Sequence, residues 1–258
     1  MKILVCVKQV PESEILLHID DTSTWVQEDA ISEFKMNRLD EYAVEEALLI
    51  KESIPGTYTE VITVGPARCE EVVRRAIGMG VDSGIHIQTA SGGYQSPFEV
   101  AARIADFANG KQYDLILTGV MSEDSMQGQV GPMIAARLGF SWATSVVFEK
   151  IALDKNSIYI EREIESGHRD TLELKLPALL TIQSGINSPR WPSLSNLLRA
   201  NLQGLKTIST NNLAKVEQMD LLTEVMYPQK KRAGLALSGS LQEKANRLLM
   251  ILREKSLL

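Results

Sequence analysis

A chain of 258 residues, 44% hydrophobic and 23% charged, can bury one large core or two smaller ones and does not have the composition of a disordered protein. Its formal net charge of −6 disfavours broad, sequence-independent nucleic-acid binding, which needs many Lys and Arg to displace phosphate counterions. No apolar run approaches the roughly 20 residues of a membrane span, so membrane insertion is not expected.

Residues 2–10 form a short, nearly continuous apolar run, the signature of a strand buried on both faces. Residues 37–52 follow with helical spacing, Ala43, Val44, Ala47, Leu48 and Ile50 lying on or beside one face. Asn37 is the expected N-cap, with Asp40 in the place of the capping-box acid. A strand over 60–64 leads through Gly65-Pro66 into a second helix, which Gly78 and Gly80 are expected to end.

The cycle repeats with a strand over 84–89, a helix over 96–108 capped by Ser96, a strand over 113–120 and a helix over 129–138. Strict alternation of strand and helix predicts crossover units on a parallel sheet, an α/β fold. From about Ala143 the texture becomes that of strands, over 145–149, 157–163 and 171–175, followed by a further apolar strand over 177–183. This reads as a β-hairpin extension returning to the sheet. The chain is therefore divided into an α/β domain at 1–185, including the extension, and a C-terminal arm at 186–258. In the arm the pattern weakens around Pro189, Pro192 and Pro228, with helices expected over 211–225 and 241–258. A tail with so little core of its own is expected to lie on another subunit.

Cys6 and Cys69 offer neither a disulfide framework nor a CxxC metal spacing and read as small core residues in a reduced compartment. Residues 1–10 read as core strand rather than signal peptide, so a cytoplasmic location is expected, with a mature organellar protein as the alternative. His18, His86 and His168 are scattered without paired-ligand spacing, and His86, within a strand pattern, reads as a packed structural imidazole. The sequence carries no GxxxxGK[ST] phosphate loop and no GxSxG elbow, and no catalytic set emerges.

Two loops invite a ligand. Ser91-Gly92-Gly93-Tyr94-Gln95-Ser96 resembles the SGGxDS pyrophosphate loop of ATP-dependent adenylating enzymes, but Gln95 replaces the Asp and the segment follows the third strand; a plain loop ending in the Ser96 cap is preferred. The second runs from the end of the fourth strand to a helix start and contains Gly119, Gly128 and Gly131. In open α/β sheets the ligand crevice lies at the carboxyl ends of the strands, and free N–H groups at a helix start suit a phosphate. The alternative is an ordinary Gly-containing loop.

Taken together, several stretches resemble the β subunit of electron-transfer flavoprotein. They are MKILVCVKQVP at the start, MNRLDEYAVEEAL from Met36, DLILTG from Asp114, GQVGPM from Gly128, EREI from Glu161, LPA from Leu176 and PRWPSL from Pro189. The resemblance covers about residues 1–205. It implies a Rossmann-like nucleotide-binding fold of the adenine nucleotide α-hydrolase kind, and a heterodimer whose α subunit carries the redox FAD. By position it places AMP, as a structural nucleotide, against Cys6, Asn37, Arg38, Leu39, Asp40, Val64 and the loop Gly119, Val120, Met121, Ser122, Glu123, Asp124, Ser125, Met126, Gln127, Gly128, Gln129 and Val130.

The resemblance also implies an electron carrier rather than an enzyme, shuttling electrons from acyl-CoA dehydrogenases of fatty acid β-oxidation, or other flavin dehydrogenases, to a quinone oxidoreductase. Leu194 would be the leucine that anchors the dehydrogenase, against a plain apolar helix face of Leu194, Leu197 and Leu198. Glu163 would pair with an arginine of the mobile flavin domain, against a solvated strand charge. Relatives that bifurcate electrons from NADH bind a second FAD in place of AMP. Their usual GRQAIDGD-like stretch is here GVMSEDSM, so AMP is preferred.

Overall fold

The computed structural model describes all residues except 13, 15, 22–24, 28–32, 91, 211, 212, 214, 215, 217, 218, 229–233 and 258. The expected strands and helices alternate through β1 (Lys2–Cys6), α1 (Arg38–Ser53), β4 (Tyr58–Gly65), α2 (Glu70–Met79), β5 (Ser83–Gln88), α3 (Pro97–Ala108), β6 (Leu115–Gly119) and α4 (Val130–Leu138). A short antiparallel ribbon, β2 (Gln9–Pro11) with β3 (Phe34–Met36), stands between β1 and α1. The rest of the sheet is supplied by β7 (Ser141–Ile151), β8 (Ser157–Glu163), β9 (Arg169–Lys175), β10 (Ala178–Ile182) and β11 (Lys206–Ser209).

One nine-stranded sheet results, in the order β11-β5-β4-β1-β6-β10-β7-β8-β9. It is parallel from β11 to β7 and antiparallel across β7, β8 and β9. The expected extension is thus a three-stranded meander continuous with the main sheet, and β10 returns between β6 and β7. β1 lies at the centre of the parallel part, and its alternating side chains explain its unbroken apolar run. Ile3 and Val5 pack into one core with α1 and α2, whereas Leu4 and Cys6 pack into the other with α3 and α4.

Two helix-end expectations need correction. Gly80 ends α2, at φ 132°, but Gly78 lies inside the helix. A Cβ on Gly78 would lie 2.8 Å from Leu197 Cδ2, so the missing side chain is what lets α5 (Leu194–Leu202) pack on α2. Asn37 occupies the N-cap position of α1 without capping it through its side chain, because its amide is engaged elsewhere.

By compactness the chain divides into Met1–Val225 and Met226–Leu258. Residues 186–225 group with the sheet because α5 packs on α2 and β11 pairs with β5. The helix expected over 211–225 lies partly outside the described residues, and its described end, residues 219–225, has no helical turn. The second unit contains α6 (Leu241–Glu254), started by a full capping box between Ser240 and Glu243. Among the described residues, no helix is long and apolar enough to cross a membrane. His86 is buried, with Nε2 3.0 Å from Gly65 O, a packed imidazole as expected. Cys6 and Cys69 are free and buried.

Candidate functional site

Because β1, β4 and β6 run parallel, their carboxyl ends open on one side of the sheet, where a cavity of about 400 Å³ is found. Cys6 ends β1, Val64 stands near the end of β4, and Gly119 ends β6; all three line the cavity. The first turn of α1 contributes Asn37 and Asp40, and the loop before α4 closes a further wall.

Asp40 is the joint of this arrangement. Only 6% exposed, it accepts from Lys8 N through Oδ2 (2.7 Å) and from Gly119 N through Oδ1 (3.0 Å), linking the segment after β1 to the end of β6. Burial pushes its carboxyl up to about 7, although the N–H groups of Lys8 and Gly119 and the Asn37 side chain favour the ionised form. Burial, with Asp40 beside it, raises the Cys6 thiol far above the ordinary thiol range, so Cys6 acts here as a neutral apolar wall. Gly119 has no room for a side chain, since a Cβ would lie 2.4 Å from Asp40 Oδ1 and 2.8 Å from the Leu39 carbonyl carbon.

The amide of Asn37, rather than capping α1, clamps the loop: Nδ2 donates to Met121 O (2.9 Å) and Oδ1 accepts from Glu123 N (3.1 Å). Lys8 Nζ reaches across the same loop to Asp124 (2.7 Å) and Ser122 Oγ (3.3 Å). Behind the loop, α4 begins with no side-chain cap, so its first N–H groups, at Gln129, Val130 and Gly131, have no acceptor within the helix. A Cβ on Gly131 would lie 2.8 Å from Thr181 Cγ2 and 3.0 Å from Thr118 Oγ1, so glycine is what lets the helix start sit directly on the strand ends. Uncapped donors at the positive end of a helix, on the rim of a cavity with an apolar floor, match an anionic group attached to a flat apolar ring.

Most of the predicted nucleotide residues meet here. Cys6, Asn37, Asp40, Val64, Gly119, Val120, Met121, Ser122, Asp124, Ser125, Gln127, Gly128, Gln129 and Val130 all line the cavity. Arg38, Leu39, Glu123 and Met126 are not part of its lining: Arg38 is exposed, Leu39 backs Gly119, Glu123 Oε2 accepts from Arg38 N (3.5 Å), and Met126 is 67% exposed. Sequence reasoning missed Lys8, Gln9, Trp25, Arg68 and Thr118. It also set aside the loop after β5, yet residues 92–95 line the cavity; Ser91 lies outside the described residues. Position at or just beyond the carboxyl end of a central strand was the available signal for Thr118 and Lys8; Trp25 reaches the site from the segment between β2 and β3, and Arg68 from the turn after β4.

Glu163 and Leu194 are elsewhere. Glu163 ends β8, is exposed and accepts from Gln183 Nε2 at 3.4 Å. Leu194 opens α5 behind the Ser193 cap and is 75% exposed. Leu197 turns inward against Gly78 while Leu194 and Leu198 face out, so the three leucines do not form one buried stripe. The segment leading to α5 is anchored to α1: Arg190 grips Glu45 through Nε (2.9 Å) and Nη2 (2.9 Å) and reaches Glu52 through Nη1 (2.6 Å).

Fold and cavity define an open α/β protein with its crevice at the carboxyl ends of central parallel strands. A model of the electron transfer flavoprotein domain matches residues 24–221. The mitochondrial electron transfer flavoprotein subunit beta of Arabidopsis thaliana is 32% identical over 243 residues, covering 93% of this chain and 94% of the relative. Subunit beta of Bos taurus is 33% identical over 215 residues (83% of each chain), and that of Bradyrhizobium diazoefficiens is 32% identical over 237 residues (91% and 92%). The chain belongs to the electron transfer flavoprotein family, among its β subunits.

Proposed function

We propose that this chain pairs with an α subunit that carries FAD, and that the heterodimer shuttles electrons from flavin dehydrogenases, acyl-CoA dehydrogenases among them, to a quinone oxidoreductase or similar acceptor. In this reading the cavity holds AMP. The observation that carries it is the convergence of Cys6, Val64, Asp40 and Gly119 with the uncapped start of α4 on one cavity. Residues 129–131 would donate to the phosphate, Cys6 and Val64 would flank the adenine, and Asp40 would hold the two strand ends in register. AMP supplies binding free energy, which stabilises the folded state by linkage, and no redox chemistry.

Leu194, exposed at the start of α5, is the proposed dehydrogenase anchor, and Glu163 the proposed partner of an arginine on the moving flavin domain. Residues 226–258 would lie on the α subunit. The test is release of the bound nucleotides from the purified heterodimer by denaturation, followed by chromatography. One FAD and one AMP per heterodimer are expected. Two FAD and no AMP would overturn the assignment in favour of a bifurcating subunit that uses NADH.

A further inference from the structure

Residues 120–127 form a turn that holds itself together. Met126 N donates to Ser122 O (2.9 Å), Ser122 Oγ and Ser125 Oγ are 2.9 Å apart, Ser125 N donates to Asp124 Oδ1 (2.7 Å), and Met126 takes the left-handed conformation at φ 52°. Such a turn moves as one piece, and what matters is how it is fastened to its surroundings. Asn37 fastens its first half through Met121 and Glu123, and Glu123 also has Lys35 at 3.6 Å. The second half is fastened by Tyr94, whose hydroxyl is hydrogen-bonded to the Gln127 side chain, and by Lys8, whose Nζ lies 2.7 Å from Asp124 and is the ionic fastening.

Lys8 is suited to this because its own backbone is fixed on both sides: its N–H donates to Asp40 and its C=O accepts from Asn37 N at 2.9 Å. Only its side chain is free to let go. The two partners are also unequal, the Lys8 side chain being 44% exposed and that of Asp124 21% exposed. Burial raises the Asp124 carboxyl, and the Lys8 ammonium with the loop's own donors outweighs it and holds the group below the ordinary carboxylate range. Without Lys8 the carboxylate would be largely buried and lack its cation, and it recovers hydration only if the turn swings outward.

We propose that Lys8 is the latch of the nucleotide cavity: its ion pair with Asp124 keeps the 120–127 turn closed over a bound adenine nucleotide and sets how long that nucleotide stays. Lys8 is thus a positioning residue, acting through the turn. The proposal rests on the nucleotide reading of the cavity.

The experiment is a double-mutant cycle on the heterodimer, loaded with radiolabelled AMP and chased with unlabelled AMP, with release and association rates measured separately. Lys8→Met and Asp124→Asn are each expected to speed release about tenfold with little change in association, and the double variant to be no faster than either single one. Lys8→Arg is expected to stay within about twofold of the unmutated complex, since it restores the ion pair. The latch is overturned if Lys8→Met leaves release unchanged or if the two effects multiply. It is equally overturned if Asp124→Asn slows release, since Lys8 would then be contacting the phosphate directly. An unmutated complex that carries FAD in this cavity would refute AMP alone, and the same cycle then judges the latch on FAD release; one that binds no nucleotide here refutes both.

Discussion

Gly119 and Asp40, 79 residues apart, are joined by a hydrogen bond from Gly119 N to Asp40 Oδ1 at 3.0 Å, in a contact so close that a Cβ on Gly119 would stand 2.4 Å from the accepting oxygen. The bond binds the end of β6 to the first turn of α1, and it sets the depth of the cavity between them. Gly119→Ala is therefore expected to lower stability by about 1–3 kcal/mol through overpacking and, if the cavity holds AMP, to weaken its retention by shifting α1. Gly204→Ala, where a Cβ would meet nothing within 4 Å, is the matched control and should be near neutral. Denaturant unfolding of the two variants decides it; equal midpoints would show that the site relaxes without cost.

Asp40 makes stability depend on pH in a definite direction. Its carboxyl is raised from 3.8 to about 7 in the folded state, so in that window the folded chain keeps a proton that the unfolded chain has lost. Its contribution is full below the unfolded value, declines as pH rises from about 4 to about 7, and is level above that. Asp40→Asn should abolish this decline. In exchange it should cost about 1–3 kcal/mol at acidic pH, because an amide offers one acceptor oxygen to the two N–H groups of Lys8 and Gly119. Unfolding curves of both proteins from pH 4 to 8 give the comparison, and parallel pH profiles would contradict it.

Arg190 holds the segment before α5 through a carboxylate that is almost wholly enclosed, the Glu45 side chain being 5% exposed. Arg190→Met should cost about 3 kcal/mol, most of it the penalty of leaving Glu45 charged and unpaired. Combining it with Glu45→Gln should recover much of that loss, which a thermal-denaturation cycle would register as strong coupling. Additive losses would mean that the pair does not act as a unit.

Leu194 separates docking from folding. With its side chain 75% exposed, Leu194→Ala should change stability by less than about 0.5 kcal/mol. If it anchors a dehydrogenase, the same substitution should weaken that complex about tenfold or more, as measured by the KM of the heterodimer in a dehydrogenase assay. An unchanged KM would remove Leu194 from the docking surface.

The order of strands and helices was legible from the sequence because each element carries its own period: β1 is apolar on both sides, and α3 starts at a Ser-Pro cap that its side chain completes at Glu99 N. Two parts escaped. β11 is four residues long with exposed and half-buried side chains, and its place comes from pairing with β5 rather than from any pattern of its own. Gly78, read as a terminator from its position near Gly80, is instead the seat of Leu197, a contact 119 positions away that no local spacing encodes.

In the site the division is similar. Local composition by itself determined that a polar, glycine-bearing loop leads from a strand into a helix, and that the first apolar run is a strand buried on both faces. Chain-wide motifs added the family. Only the tertiary structure decided that Asn37 clamps Met121 and Glu123 instead of capping its own helix, that Asp40 bridges Lys8 and Gly119, and that Lys8 reaches Asp124. The physical reason is that a polar side chain near a helix start has more than one partner within reach. Which one it takes depends on what the rest of the fold brings beside it and on the cost of burying what remains unpaired.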